Sequence, residues 1–123
     1  MRLYEIDHVV LNVADTERSL AWYTDLLGLT AERVPEWRAG DVPFPSVRVN
    51  DHFVIDLFQC ERTGENMNHL CLVVDQAGVA AILVDDRFEV LRGPLEVWGA
   101  QGVGESVYVA DPDGNTVELR WYP

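Results

Sequence analysis

The segment DHVVLNVAD, residues 7–15, is answered later in the chain by NHLCLVVDQ, residues 68–76. Each copy opens on a polar residue and a histidine, runs through an apolar stretch, and contains an aspartate able to cap a following helix. The two histidines, His8 and His69, lie 69 − 8 = 61 positions apart. A second pair of landmarks gives nearly the same offset. FVIDLF (residues 53–58) aligns with TVELRW (residues 116–121), and their central carboxylates, Asp56 and Glu118, are 118 − 56 = 62 apart. Two independent landmarks at one offset indicate a tandem duplication, with modules expected over 1–62 and 63–123.

Working outward, residues 3–13 read as a Val- and Leu-rich strand. Asp15 then opens a helix whose apolar positions Leu20, Trp22, Tyr23, Leu26 and Leu27 recur at helical spacing. Gly28 is placed to stop it. Strands are expected at 30–34, 45–49 and 53–59, with the proline-bearing stretch 35–45 as an irregular loop. The second half repeats the order: a strand at 69–74, a helix at 76–84 capped by Asp75, and strands at 88–92, 106–110 and 116–122. The run DPDGN, residues 111–115, is a turn joining the last two strands. Residues 93–104 hold four glycines and Trp98, and read as a mobile cover. The fold class is therefore α+β, with two tandem βαβββ modules forming half-barrel sheets and helices on the outside.

Strand side chains alternate between two faces. Val9, Leu11 and Val13 oppose His8, Val10 and Asn12; Ile55 and Leu57 oppose Asp56; Leu70, Leu72 and Val74 oppose His69 and Cys71; Val117 and Leu119 oppose Glu118 and Arg120. One face of each strand is apolar and belongs under the helices. The other gathers His8, Asp56, His69 and Glu118. Two imidazoles with one or two carboxylates suit a divalent metal such as Mn²⁺, Fe²⁺, Ni²⁺, Co²⁺ or Zn²⁺ with positions left open for substrate. A further carboxylate serves as ligand or general base. The competing reading is that strand histidines are packed and strand carboxylates solvated, with any ancestral metal site lost. Cys71 reads as a small apolar filler rather than a nucleophile, His52 as an exposed turn residue, and Trp37 and Trp98 as cavity or dimer residues. Arg120 either offsets an anionic substrate group or pairs with Glu118 or Asp56.

Composition narrows the function classes. The 123 residues are 48% hydrophobic, enough for a core without disulfides. Twenty-one acidic residues against 9 basic ones give a net charge of −12, which opposes binding to nucleic acid or anionic membranes. No apolar run is long enough to span a bilayer, the N-terminus lacks the pattern of a signal peptide, and Cys60 and Cys71 lack disulfide or metal-type spacing. A cytoplasmic setting is expected.

On DHVVLNVAD followed by SLAWYTDLLGL, then NHLCLVVD and YVADPDGNTVELRW, the chain resembles the vicinal oxygen chelate superfamily. That superfamily includes glyoxalase I, extradiol dioxygenases, fosfomycin-resistance enzymes and bleomycin-resistance proteins. The resemblance implies metal ligands at His8, His69 and Glu118, with a fourth position, usually glutamate in glyoxalase I-like members, falling on the shorter Asp56. It also implies a small-molecule substrate and a homodimer. The expected function is divalent-metal-dependent chemistry on a small oxygenated substrate, whether lyase, isomerase, dioxygenase or epoxide-opening, with Asp56 and Glu118 as catalytic carboxylates. The alternative is a metal-free protein that sequesters a drug or metabolite, as bleomycin-resistance proteins do.

Overall fold

A computed structural model describes residues 2, 5–99 and 101–123 of the chain, and in it the chain divides into two compact units, Met1–Asn66 and Met67–Pro123. Each unit carries one four-stranded mixed sheet in the order first, fourth, third, second strand. These are the two βαβββ modules that the repeat implies.

In the first unit, β1 (His8–Val13) runs parallel to β4 (Phe53–Gln59), which pairs antiparallel with β3 (Ser46–Asn50) and through it with β2 (Thr30–Glu32). Helix α1 (Thr16–Ala21) begins where the Asp15 side chain accepts from the Arg18 N–H at 3.0 Å. A π-helical turn over Trp22–Leu26 extends it, and Gly28, at φ +69°, ends it. The helix packs against β4. The alternation of β1 now has its physical cause: Leu11 and Val13 lie in the core with Leu20, Tyr23, Val47, Ile55 and Leu57. Each such buried side chain stabilises the fold by roughly 1.5–3 kcal/mol. Trp22 meets Tyr23 edge-on at 4.8 Å.

The second unit repeats this plan. Strand β5 (Leu70–Val73) is parallel to β8 (Thr116–Trp121), which pairs with β7 (Gly102–Ala110) and then β6 (Glu89–Gly99). Helix α3 (Gln76–Ile82) is capped by Asp75, which accepts from the Gly78 N–H at 2.6 Å, and packs on β8. Leu72, Val79, Ile82, Val107, Val109, Val117 and Leu119 form the core. Asp111 takes the N–H groups of Asp113 and Asn115 in the turn before β8. Among the described residues, no helix is long and apolar enough to cross a membrane.

Three local expectations are corrected. Strand β1 starts at His8 rather than at residue 3; residues 3 and 4 lie outside the described part. The stretch 35–45 is not wholly irregular, because a one-turn helix, α2 (Val34–Arg38), seats Pro35 in its first turn, where a missing N–H costs nothing. The glycine-bearing stretch 93–104 is not a separate loop but the end of a long hairpin, with Leu95 opposite Ser106 and Val97 opposite Gly104. Its glycines serve close approach: a Cβ on Gly93 would stand 2.5 Å from the Ser106 carbonyl oxygen, and one on Gly104 would stand 2.6 Å from that of Trp121. Residue 100 and the Trp98 side chain, read as part of a cover, lie outside the described part.

Candidate functional site

In each unit the sheet face opposite the helix carries one of the histidines and one of the strand carboxylates singled out from sequence, held by partners of different origin. On the first unit, Val10 pairs with Asp56 and Asp56 with Ser46 across neighbouring strands, so these side chains share a face. The Ser46 hydroxyl donates to Asp56 Oδ1 at 2.5 Å. Arg33 Nη2 reaches both the Ser46 oxygen and, at 3.4 Å, Asp56 Oδ1. Arg33 comes from the residue before α2, in left-handed backbone at φ +60°. Its guanidinium also lies 5.2 Å from the centroid of Phe44, which meets Phe58 edge-on at 5.9 Å. Asp56 is only 6% exposed. Its Oδ1 is therefore engaged by both Ser46 and Arg33.

His8 opens β1, and its Nδ1 is 2.7 Å from Asp7 Oδ2. The hydrogen bond to Asp7 chiefly, with the nearby charge of Asp56 adding to it, holds His8 above the ordinary histidine value. Nδ1 is thus occupied and Nε2 remains.

The second unit holds a tighter group. His69, immediately before β5, has Nδ1 2.6 Å from Asn68 Oδ1 and Nε2 3.1 Å from Glu118 Oε2. Glu118 is 3% exposed, and its other oxygen accepts from the Ser106 hydroxyl at 2.6 Å and faces Arg120 Nη2 at 3.2 Å. Arg120 is buried as well, donating to Ser106, to the Tyr122 hydroxyl and to the Val97 carbonyl, each at 3.1 Å. Of the partners considered for Arg120 from sequence, Glu118 is the one observed within this unit. Tyr108 packs edge-on against His69 at 5.8 Å. Burial first, and then the neighbouring Glu118 carboxylate, raises its pKa. Cys71 is exposed rather than a packed filler, and its thiol is pushed up to about 11, first by desolvation and then by Glu118, so it stays a thiol.

The structure thus brings His69 and Glu118 together and sets His8 within the field of Asp56. Among the described residues, no three His, Cys, Asp or Glu side chains come together as one cluster. The donor chemistry nonetheless fits a divalent ion in one respect that recurs in both modules. The residue preceding each histidine engages Nδ1, an arrangement that orients imidazole Nε2 for a metal. Arg33, Ser46, Ser106 and Tyr108 were not singled out from sequence. Ser106 and Tyr108 were accessible there, because period-2 alternation in 106–110 puts them on the site face. Arg33 fell within the strand expected at 30–34, but β2 ends at Glu32 and Arg33 is left-handed, so strand alternation does not give the direction of its side chain.

The fold and these paired residues define a protein of duplicated βαβββ modules with an imidazole–carboxylate pair on each sheet. Residues 5–119 match the model of the Glyoxalase/Bleomycin resistance protein/Dioxygenase superfamily, and the chain belongs to that superfamily, which includes enzymes. The chain is 29% identical over 126 residues to the protein named Virulence protein STM3117 of Salmonella typhimurium, covering 99% of this chain and 87% of that one. The crystal structure of that protein superposes with a TM-score of 0.81 over the whole of both chains, at 27% identity. A protein structure from the mobile metagenome of V. Pseudocholerae matches at TM-score 0.80 and 27% identity, covering 100% of this chain and 98% of that one. A probable lactoylglutathione lyase of Synechocystis is 27% identical, with 91% of each chain covered.

Proposed function

We propose that this chain is a divalent-metal-dependent enzyme of the vicinal oxygen chelate type, acting as a homodimer on a small oxygenated substrate in the cytoplasm. His8, His69 and Glu118 are the residues that would hold the metal. An ion bound there supplies Lewis acidity toward two adjacent oxygens of the substrate. The observation that carries this reading is the repeated histidine geometry, with Nδ1 of His8 tied to Asp7 and Nδ1 of His69 tied to Asn68, which leaves Nε2 of His8 open and turns Nε2 of His69 toward Glu118 Oε2. Glu118 keeps Oε2 toward His69 while Ser106 and Arg120 hold Oε1, so the carboxylate is oriented before anything binds. Asp56 is the general base or fourth ligand. Tyr108, directly opposite Glu118 across β7 and β8 and kept protonated, is placed beside that carboxylate. Isomerisation, lyase chemistry, ring cleavage and epoxide opening are all compatible with this set. The relative named a probable lactoylglutathione lyase puts hemithioacetals early in a substrate screen, although Asp56 is one methylene shorter than the glutamate usual in glyoxalase I-like members.

A second reading is a metal-free protein that sequesters a drug or metabolite. It is favoured by the Asp56–Ser46–Arg33 group beside the Phe44–Phe58 pair, which offers an aromatic surface next to a carboxylate whose Oδ1 is already engaged. Elemental analysis of untagged protein purified without chelator, with His8→Ala and Glu118→Ala beside it, separates the two. Near-stoichiometric transition metal, lost in both variants, is expected. Absence of metal even after reconstitution with Mn²⁺, Fe²⁺, Ni²⁺ and Zn²⁺ sinks the enzyme mechanism and leaves the binding protein.

A further inference from the structure

The site face of the second unit carries a cation that the proposed chemistry does not use. Across its sheet Arg92 stands opposite Tyr108, Tyr108 opposite Glu118, and Glu118 opposite Cys71. Directly opposed residues of paired strands present their side chains on one face. The Arg92 guanidinium carbon lies 5.9 Å from the Tyr108 ring centroid, and His69 meets the same ring at 5.8 Å. One phenol ring therefore separates a guanidinium from the His69–Glu118 pair.

Arg92 differs from five other arginines of the chain. Arg33, Arg38, Arg48, Arg87 and Arg120 each face a carboxylate. Arg92 is exposed, and among the described residues it forms no ion pair; its close contact is the Tyr108 ring. A chain with 21 acidic and 9 basic residues has carboxylates to spare for such a cation. The exposed cation–π contact is worth only about 0.5–1 kcal/mol, and it leaves the guanidinium N–H donors free for another acceptor.

We propose that Arg92, seated on the Tyr108 ring, recognises a carboxylate on the molecule that occupies the His69–Glu118 pair. This deepens the preceding proposal and takes the occupant of the pair from it. The planar fork of arginine matches a carboxylate with two parallel hydrogen bonds. A single guanidinium in a chain of net charge −12 suits a monoanion better than a dianion. Tyr108 presents ring surface to whatever connects the two ends. The ligand class follows: paired oxygens at one end, a carboxylate at the other, and a flat or apolar spacer between them.

The test compares dihydrocaffeate, a catechol with a carboxylate on a short tail, with its uncharged methyl ester. Calorimetric titration is run on the full chain, both metal-free and loaded with Mn²⁺. The wild type is expected to prefer the acid by about tenfold, in line with a charge-assisted bidentate contact. Arg92→Gln removes that preference and leaves the affinity for the ester within about twofold, while Arg92→Lys keeps part of it. His69→Ala weakens acid and ester alike and leaves their ratio intact. Equal binding of acid and ester by the wild type, failure to bind the acid, or a preference surviving in Arg92→Gln overturns the proposal. An Arg92-dependent preference in protein that takes up no metal supports carboxylate recognition and refutes only the metal chemistry.

Discussion

Replacing Arg120 by methionine tests the buried network that orients Glu118. Both residues are 3% exposed, and the guanidinium is engaged by Glu118 at 3.2 Å and by Ser106, Tyr122 and Val97 at 3.1 Å each. Methionine keeps most of the aliphatic volume, so the change isolates the charge rather than opening a large void. Glu118 is then left buried without its cation, a situation that costs about 3–5 kcal/mol. Against a total stability of roughly 5–15 kcal/mol this is a large fraction. With a urea dependence of about 1–3 kcal/mol per molar, the midpoint of unfolding falls by about 2 M. The double variant Arg120→Met/Glu118→Leu removes both charges and is expected to recover most of the loss, because an apolar pair of similar volume is close to neutral at a buried ion-pair site. The double-mutant cycle then gives a coupling of about 3 kcal/mol. Urea unfolding followed in parallel by tryptophan fluorescence and circular dichroism measures all four proteins and checks that the transitions coincide. A single variant losing less than about 1 kcal/mol, or a double variant no more stable than the single, refutes the claim that Arg120 is the counter-charge of Glu118.

Two further outcomes follow from the titration behaviour of the site. His8 is held above the ordinary histidine value near 6.5, first by Asp7, so an NMR titration should show its midpoint above 6.5 and Asp7→Asn should bring it down. The sign is set by the protonated form being favoured in the fold: the Asp7–His8 contribution is complete below 6.5 and is lost as pH rises through the raised value. An unchanged midpoint in Asp7→Asn would show that the pair seen in the structure does not form in solution. Cys71, pushed up to about 11, should be alkylated by iodoacetamide far more slowly at pH 8 than an ordinary thiol, because roughly one molecule in a thousand is thiolate there. Mass spectrometry of the labelled peptide reads this directly, and labelling of Cys71 at the rate of a free cysteine would contradict it.

Much of this protein was legible in one dimension. The 61- and 62-residue offsets announced the duplication, the strand alternation assigned His8, Asp56, His69 and Glu118 to one face, and Asp15 and Asp75 marked both helix starts. These features depend on neighbours within a turn or a strand, so they are written locally. The long β6–β7 hairpin was missed because its glycines resemble loop residues until a facing strand gives them a reason, namely the 2.5–2.6 Å approaches that exclude a Cβ. The same limit applies to the site. That Asp56 Oδ1 is engaged by Ser46 and Arg33, that Glu118 is oriented by Ser106 and Arg120, and that Arg92 stands over Tyr108 all depend on register between separate strands and on the reach of a side chain from a left-handed residue outside any strand. Sequence alone determined which residues could share a face; only tertiary packing decided which carboxylates were already spoken for, because a partner is chosen by distance in space and not by position along the chain.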